Sequence, residues 1–380
     1  MKKTKELKHP STAAHGPAGV MTANSAISAL DATGHPSADG GPAASSAAGL
    51  TRRQCLGAGL GLAGSLAAFP AFAATLLKGA DVSWVSQEES AGYSFYNAAG
   101  TKTDPFKLLK DLGVNTIRLR VWVNPSGGWC DGADTLYKAK RAMAQGQKIM
   151  LTFHYSDSWA DPGQQTKPAA WSSHSLSQLV TDVYAHTQGI LSYLKNNGVN
   201  VDYVQVGNEI NSGMLWPTGQ ASGSNFGNLV QLINSGFEAT KAVFSGAQVV
   251  LHLSNGHDNA LFRWFFDGMK NHGARYDVIG LSHYPTASNW SSRNAALSTN
   301  MADMVSRYGK PVVVAETGMD WQQAAASKAM LADVLTRVSA LGAKGLGVLY
   351  WEPQAYPGWQ GYTWGALDGS GRFTTALDPF

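Results

Sequence analysis

The chain predicts a (β/α)8 TIM barrel, an α/β fold formed as a single domain by residues 74–380. Two observations predict it: eight apolar, β-type segments alternate with amphipathic helical ones, and no internal repeat or second-domain linker interrupts them. A short apolar run bounded by turn residues is typical of a strand buried in a parallel sheet. Right-handed crossovers through the intervening helices would close that sheet on itself.

The predicted strands are all short and apolar: 79–83, 116–121, 148–154, 203–206, 249–253, 278–282, 312–315 and 347–351. The predicted helices carry apolar residues at helical spacing: 105–112, 136–145, 176–197, 226–244, 262–272, 295–308 and 324–341. Asp104 and Pro105 suit the N-cap and first position of the first of these helices, and Gly113 suits its C-terminal end. Only residues 374–380 remain to supply a helix after the last strand.

The N-terminal segment differs from the rest in composition. The first 68 residues contain no Trp, Tyr or Phe and are rich in Ala, Gly, Ser and Pro, so they cannot form a core. Arg52 and Arg53 precede a mild apolar run that ends at Phe69, and a small-x-small cleavage site lies before Ala74. We interpret residues 1–73 as a disordered extension with a twin-arginine signal peptide, which directs the protein to the periplasm or outside. A membrane anchor or a chance arginine pair is the alternative.

The charge of the predicted barrel is balanced. Residues 1–73 carry six of the 29 Lys and Arg and three of the 26 Asp and Glu, which leaves 23 of each sign. The pI near 8.7 therefore does not indicate nucleic-acid binding, and we expect none. Cys55 leaves with the signal, so Cys130 has no partner for an internal disulfide. We expect a monomer without stable membrane insertion once the signal is removed.

Two of the predicted strands end on a glutamate. Glu209 follows the apolar run of the fourth strand, and Glu316 follows that of the seventh. A buried carboxylate is costly unless it is paired or hydrogen-bonded, and the C-terminal strand ends of a barrel carry its active site. Two carboxyl groups are what glycoside hydrolysis requires. A salt bridge to a neighbouring strand is the structural alternative for either residue.

Further polar side chains are predicted on the same rim. Asn208 can offer its amide to a sugar 2-hydroxyl, and Arg118 on the second strand is a candidate partner for Glu316. Arg120 shares the parity of Arg118 and would face the same side. Hydrogen bonding to sugar hydroxyls, or orientation of the glutamates, is expected for the following residues: His154, Asp157 and Tyr284.

Three histidines at strand ends raise a metal alternative. They are His154, His252 and His283. Metal-dependent barrel amidohydrolases need a His-x-His pair on the first strand, and this strand reads Ala80-Asp81-Val82-Ser83. We therefore predict no metal, and His252 remains either a core histidine or a hydrogen-bonding one.

The tryptophans are unevenly placed along the predicted fold. Eleven of the twelve fall at strand C-terminal ends or in the segments that follow, and only Trp264 falls in a helix. Packing alone would scatter them over helix and strand faces. Aromatic platforms on one rim suit the apolar faces of sugar rings, and three are predicted to bind substrate: Trp159, Trp216 and Trp351.

Several motifs together resemble one family. They are Lys78-Gly79-Ala80-Asp81-Val82-Ser83, Arg120-Val121-Trp122-Val123-Asn124-Pro125, His154-Tyr155-Ser156-Asp157, Gly207-Asn208-Glu209-Ile210, Val313-Val314-Ala315-Glu316-Thr317 and Tyr350-Trp351-Glu352-Pro353. The chain resembles the endo-β-1,4-galactanases of glycoside hydrolase family 53 from Lys78 to the end. The resemblance implies a retaining hydrolase of β-1,4-galactan in type I arabinogalactan, with Glu209 as acid/base and Glu316 as nucleophile. The wider clan pattern implies roles around the cleaved sugar for Arg118, Asn208, Tyr284 and Trp351.

The resemblance implies no cofactor, and the sequence offers no support for a structural calcium ion. Two alternatives remain at this stage. The barrel could act on another β-1,4-glycan, such as mannan, xylan or glucan, because substrate choice depends on loops. It could also be a non-catalytic polysaccharide-binding barrel, although binding alone does not need a nucleophile.

Overall fold

The computed structural model describes residues 75–380, and the predicted extension and signal peptide lie outside these residues. Eight parallel strands form a closed barrel in which each strand pairs with the next along the chain and the last pairs with the first. They are β1 (Leu77–Asp81), β2 (Thr116–Val121), β3 (Lys148–Phe153), β4 (Tyr203–Val206), β5 (Gln248–Leu253), β6 (Val278–His283), β7 (Val312–Thr317) and β8 (Gly345–Trp351). The predicted TIM barrel is confirmed.

Eight helices accompany the strands in the described part of the chain. They are α1 (Val85–Ser90), α2 (Pro105–Asp111), α3 (Gly132–Ala144), α4 (Leu176–Asn196), α5 (Gly227–Val243), α6 (Asn259–Asn271), α7 (Trp290–Tyr308) and α8 (Ala324–Ser339). Asp104 caps α2 as predicted, accepting from the backbone N–H of Phe106 at 2.8 Å. The helix α1 was not predicted, because its sequence VSQEES shows no apolar period. The final helix is only one 3-10 turn, Thr375–Leu377.

The barrel interior is divided into an apolar lower part and a polar upper part. The lower part is a cluster of inward residues: Leu77, Met150, Val250, Val278, Val313 and Leu349. Further along the same strand faces, the inward positions become polar: Asp81, Arg118, Arg120, Thr152, Gln205, His252 and Ser282. Outward strand residues join the main core beneath the helices. The polar groups therefore collect at the C-terminal mouth of the barrel.

An irregularity in β7 determines where Glu316 points. On both sides of β7 the pairing skips one residue: Val314 pairs with Leu281, but the next pair is Glu316 with Ser282. Ala315 is therefore the extra residue of a β-bulge. Strict alternation from the inward Val313 would turn Glu316 outward to the helices, whereas the bulge re-aims it to the inward side.

No helix among residues 75–380 has both the length and the hydropathy needed to cross a bilayer.

Candidate active site

Glu209 stands on a tight turn immediately after β4. Gly207 and Glu209 both adopt left-handed backbone conformations, with φ of 81° and 44°. The turn is held in place because Gln165 Nε2 donates to the Asn208 carbonyl at 2.8 Å and the Ile210 N–H donates to the His252 carbonyl at 3.0 Å. A non-glycine residue at positive φ is costly and is often found at functional sites. The turn projects the partly exposed Glu209 carboxyl group into the mouth.

A short hydrogen-bond chain orients the Glu209 carboxyl group. Ser282 Oγ donates to Glu209 Oε1 at 2.6 Å, and His252 Nε2 lies 2.8 Å from the same hydroxyl. Burial and the Arg118 charge hold the pKa of His252 well below its usual range, so its ring is neutral. With Nδ1 facing the amide of Gln205, Nε2 carries the ring proton and donates to Ser282. His252 is thus part of a fully buried polar chain.

The surroundings of Glu209 favour its protonated form. Loss of water around the carboxyl group, followed by the nearby charge of Glu316, raises the pKa of Glu209 to about 8. The hydrogen bond from Ser282 opposes this shift. An acid of this kind remains protonated at neutral pH and can deliver a proton.

Ser282→Ala is expected to move the alkaline limb of the kcat/KM profile upward by about one pH unit. The hydrogen bond stabilises the ionised form of Glu209, so its loss raises the pKa and keeps the acid protonated to higher pH. Initial rates from pH 5 to 10 measure the shift. Ser327→Ala, which removes a buried hydroxyl on α8, should leave the limb in place. If the alkaline limb of Ser282→Ala lies at the wild-type pH, Glu209 is not the acid whose ionisation causes that limb.

Glu316 has a different set of partners. Arg118 Nη2 lies 2.9 Å from Glu316 Oε1, and the Tyr284 hydroxyl donates to Oε2 at 2.9 Å. Burial raises the pKa of Glu316, while the Arg118 guanidinium and the Tyr284 hydroxyl oppose that shift. Since Glu316 has a guanidinium and a phenol as donors and Glu209 has only a hydroxyl, the negative charge of the pair resides on Glu316.

Tyr284→Phe is expected to reduce turnover by about 10- to 100-fold without unfolding the protein. The change removes one donor to a charged group, which contributes about 1.5–3 kcal/mol. Steady-state rates and a thermal melt check both parts. Tyr276→Phe, a substitution at a buried tyrosine that packs on Phe266, is the matched control and should retain full activity.

Arg118 connects the catalytic pair to the opposite wall of the barrel. Its side chain is 1 % exposed, and Nη1 donates to Asp81 Oδ2 at 2.7 Å. Nη2 also donates to Asn208 Oδ1 at 2.9 Å. The Asn208 amide nitrogen donates to the Ala160 carbonyl at 2.9 Å, which sets the amide orientation. Asp81 was not predicted as a site residue, although it closes this arrangement.

A cluster of aromatic rings forms one side of the mouth. Trp351 packs edge-on to Trp84, with centroids 5.2 Å apart, and to Trp159 at 6.0 Å. The buried guanidinium of Arg120 lies 4.1 Å from the centre of the Trp159 ring. Since Trp159 and Trp351 are only partly buried, their rings can face a sugar.

The structure brings together only some of the tryptophans that follow the strands. The rings that meet at the mouth are Trp84, Trp122, Trp159, Trp351, Trp359 and Trp364. Trp216 is not among them: its indole donates to the Ser212 carbonyl at 3.0 Å on the loop after β4. Trp290 begins α7 and packs on the main core. The sequence pattern does not distinguish a tryptophan on the rim from one that begins the next helix, because both follow a strand.

Two more predicted site residues, His154 and Asp157, differ in how deeply they are buried. His154 is 3 % exposed, accepts the Ala160 N–H at Nδ1 and therefore carries its proton on Nε2. Asp157 lies further out, and its two carboxylate oxygens accept the backbone N–H groups of Asn124 and Ala169 at 3.0 and 2.9 Å. His154 is thus a neutral donor beside Trp159, whereas Asp157 organises the loop.

A third glutamate at a strand end was missed as a site residue. Glu352 follows β8 with φ of 43° and is fully buried. It accepts from the Trp84 N–H at 3.1 Å and from Gln354 at 2.7 Å, and it lies 3.4 Å from Arg120. Through these contacts Glu352 fixes the backbone of Trp84 and the guanidinium of Arg120, which pack in the aromatic cluster. Its place directly after a strand was the same signal that identified Glu209.

No group of three or more His, Cys, Asp or Glu side chains suited to a metal ion occurs in the described range 75–380. His283 instead bonds Asn294 at 2.7 Å, away from the glutamates.

A parallel barrel with a raised-pKa glutamate, a charge-paired glutamate and an aromatic wall at its mouth defines a glycoside hydrolase of the two-carboxylate type. The family model of glycosyl hydrolase family 53 matches residues 77–380. The chain therefore belongs to glycosyl hydrolase family 53, and it is an enzyme.

Named relatives agree with this assignment. The probable arabinogalactan endo-β-1,4-galactanase A of Aspergillus terreus is 38 % identical over an alignment of 308 positions, which covers 74 % of this chain and 87 % of that protein. The arabinogalactan endo-β-1,4-galactanase A of Aspergillus niger is 35 % identical over an alignment of 305 positions, which covers 74 % of this chain and 86 % of that protein.

Solved structures show the same fold. One of two fungal β-1,4-galactanases aligns with a TM-score of 0.73 at 32 % identity, covering 79 % of this chain and 97 % of that one. The family 53 catalytic domain from Ignisphaera aggregans aligns with a TM-score of 0.72 at 30 % identity, covering 80 % and 95 %.

Proposed function

We propose that the protein is a retaining endo-β-1,4-galactanase that cuts galactan of type I arabinogalactan. The observation that carries the proposal is the asymmetry of the two glutamates. Glu209 has one hydroxyl donor and a pKa of about 8, while Glu316 has a guanidinium and a phenol as donors. One group is therefore prepared to give a proton and the other to act as an anion.

In the first step, the Glu316 carboxylate attacks the anomeric carbon while Glu209 protonates the leaving glycosidic oxygen. A covalent galactosyl-enzyme results. Glu209, now ionised, takes a proton from water, whose oxygen attacks the anomeric carbon from the face that the leaving group vacated and displaces Glu316 from the opposite face. In this scheme Asn208 is assigned the contact with the sugar 2-hydroxyl, and Arg118 stabilises the charge of Glu316. No cofactor takes part in this scheme.

The substrate and the stereochemistry can be tested together. The purified protein is incubated with β-1,4-galactan, mannan and xylan, and the products are sized and followed by proton NMR. Internal cleavage of galactan that first releases the β-anomer supports the proposal. Cleavage of mannan or xylan alone would identify a relative with another substrate, and no product from any of them would favour a binding barrel.

Export is a further part of the proposal. The arginine pair Arg52 and Arg53, the apolar run and the cleavage site before Ala74 support the twin-arginine route to the periplasm or the medium. N-terminal sequencing of the exported protein should begin at Ala74. An unprocessed cytoplasmic protein would contradict this.

A further inference from the structure

A cavity of about 400 Å³ lies outside the catalytic centre between α1, the segment before α2, and α3. Two tyrosines on its wall are among the few large exposed apolar side chains of residues 75–380: Tyr93 is 38 % exposed and Tyr137 is 51 % exposed. An exposed ring beside a cavity is available to a ligand. None of these residues takes part in the chemistry derived above.

The floor of this cavity is polar, rigid and balanced in charge. Arg141 donates to both carboxylate oxygens of Glu89 at 2.7 Å and to Asp104 at 3.0 Å. It also donates to the Tyr137 hydroxyl at 3.1 Å. The lining carries two acids, Glu89 and Asp104, and two bases, Arg141 and Lys102, so neither sign dominates it. Fixed acceptors without net charge suit a neutral ligand with many hydroxyls better than a phosphate or an acidic peptide.

The Tyr93 ring also connects this cavity to the catalytic mouth through contacts with other aromatic rings. The Tyr93 ring lies 4.4 Å from Tyr356 and packs edge-on against Trp359 at 5.4 Å. Trp359 packs against the aromatic cluster that contains Trp351. A continuous row of rings therefore leads from the candidate active site over the β8–β1 side of the rim to Tyr93.

We propose that this cavity is a secondary binding site for β-1,4-galactan, with Tyr93 and Tyr137 as its aromatic contacts. The inference rests on the proposed function for its choice of glycan. A galactose ring carries C–H bonds on the face opposite its axial 4-oxygen, and that face can cover a tyrosine ring while the sugar hydroxyls donate to the carboxylate oxygens of Glu89 and Asp104. Binding there would hold a long chain near the cleft and raise its effective concentration.

The test uses native gel electrophoresis through gels that contain β-1,4-galactan, with Glu316→Gln as the non-cleaving parent. We expect Tyr93→Ala and Tyr137→Ala to raise the apparent Kd for galactan roughly fivefold, because each removes apolar area that the sugar would cover. Tyr193→Ala is the matched control, since Tyr193 is 41 % exposed on α4 and does not line the cavity. In the active enzyme, both test variants should lower the ratio of kcat/KM on polymer to that on galactotetraose by a similar factor.

The outcomes separate this site from the proposed activity. Equal retardation of the parent and of both test variants overturns the site, as does a parent that galactan does not retard. Loss of retardation in Tyr137→Ala alone supports the site. Tyr93 packs on Tyr356, so Tyr93→Ala could unfold this region locally, whereas Tyr137→Ala does not remove that contact. If wild type cleaves no galactan but the variants still lose retardation, the proposed activity fails and the site stands.

Discussion

Turnover of β-1,4-galactan should fall by roughly 10⁵-fold in Glu316→Gln, while the folded state is retained. Glutamine has the same shape, and its carbonyl oxygen can still accept from Arg118 while its amide nitrogen donates to the Tyr284 hydroxyl, but it cannot attack the anomeric carbon. Steady-state rates at high enzyme concentration measure the loss, and circular dichroism melts check the fold. Galactan hydrolysis at the wild-type rate would remove Glu316 from the nucleophile role.

Azide distinguishes the roles of the two glutamates within one experiment. In Glu209→Ala the covalent intermediate can still form on an activated aryl galactoside, and azide then displaces Glu316 to give the β-galactosyl azide. In Glu316→Ala azide enters the vacated face directly, Glu209 protonates the leaving oxygen, and the α-azide results. Product NMR identifies the anomer. The reverse pattern would exchange the two assignments.

Arg118→Met is expected to cost about 3–5 kcal/mol of unfolding free energy and to abolish measurable activity. The substitution leaves Asp81 and Glu316 as buried acids without their shared cation, and breaking a buried pair in this way is strongly destabilising. Arg118→Lys should recover part of the stability but little activity, because one ammonium group cannot reproduce the planar fork. Urea unfolding and activity assays measure both.

A surface arginine provides the comparison for Arg118. Arg263 donates to both oxygens of Asp303 but is exposed, so Arg263→Met should change stability far less than Arg118→Met does and leave activity intact. Similar losses of unfolding free energy in the two methionine variants would mean that the Arg118 network contributes no more to stability than an exposed ion pair. A stable, active Arg118→Met would contradict its role directly.

Local pattern was sufficient for much of the barrel. The strands 116–121 and 203–206 agree with β2 and β4 at both ends, because apolar runs with turn residues on each side have no competing helical period. The predicted seventh strand stopped at Ala315, whereas β7 continues to Thr317. The apolar run ends at Ala315, but hydrogen bonding across the bulge continues through Glu316 and Thr317.

Strand alternation and strand ends predict many of the candidate site residues, but not how all of them are oriented. Arg118 and Arg120 share parity on β2, and both side chains are buried inside the barrel. Gln205 follows the same rule, since it alternates inward between two valines on β4. The inward turn of Glu316 depends on a bulge that no residue type announces, and the contacts of Glu352 join segments far apart in sequence. Such features depend on tertiary packing.

The left-handed backbone at Tyr155, Glu209 and Glu352 has a consequence for protein engineering. All three residues lie just after a barrel strand, and each such non-glycine conformation costs on the order of 1–3 kcal/mol. Relieving that cost at the mouth would exchange catalytic geometry for heat resistance. The apolar cluster around Met150 and Val313 has no such conflict. A more heat-resistant variant should therefore be sought by improving the lower barrel and the helix exteriors, with the mouth kept unchanged.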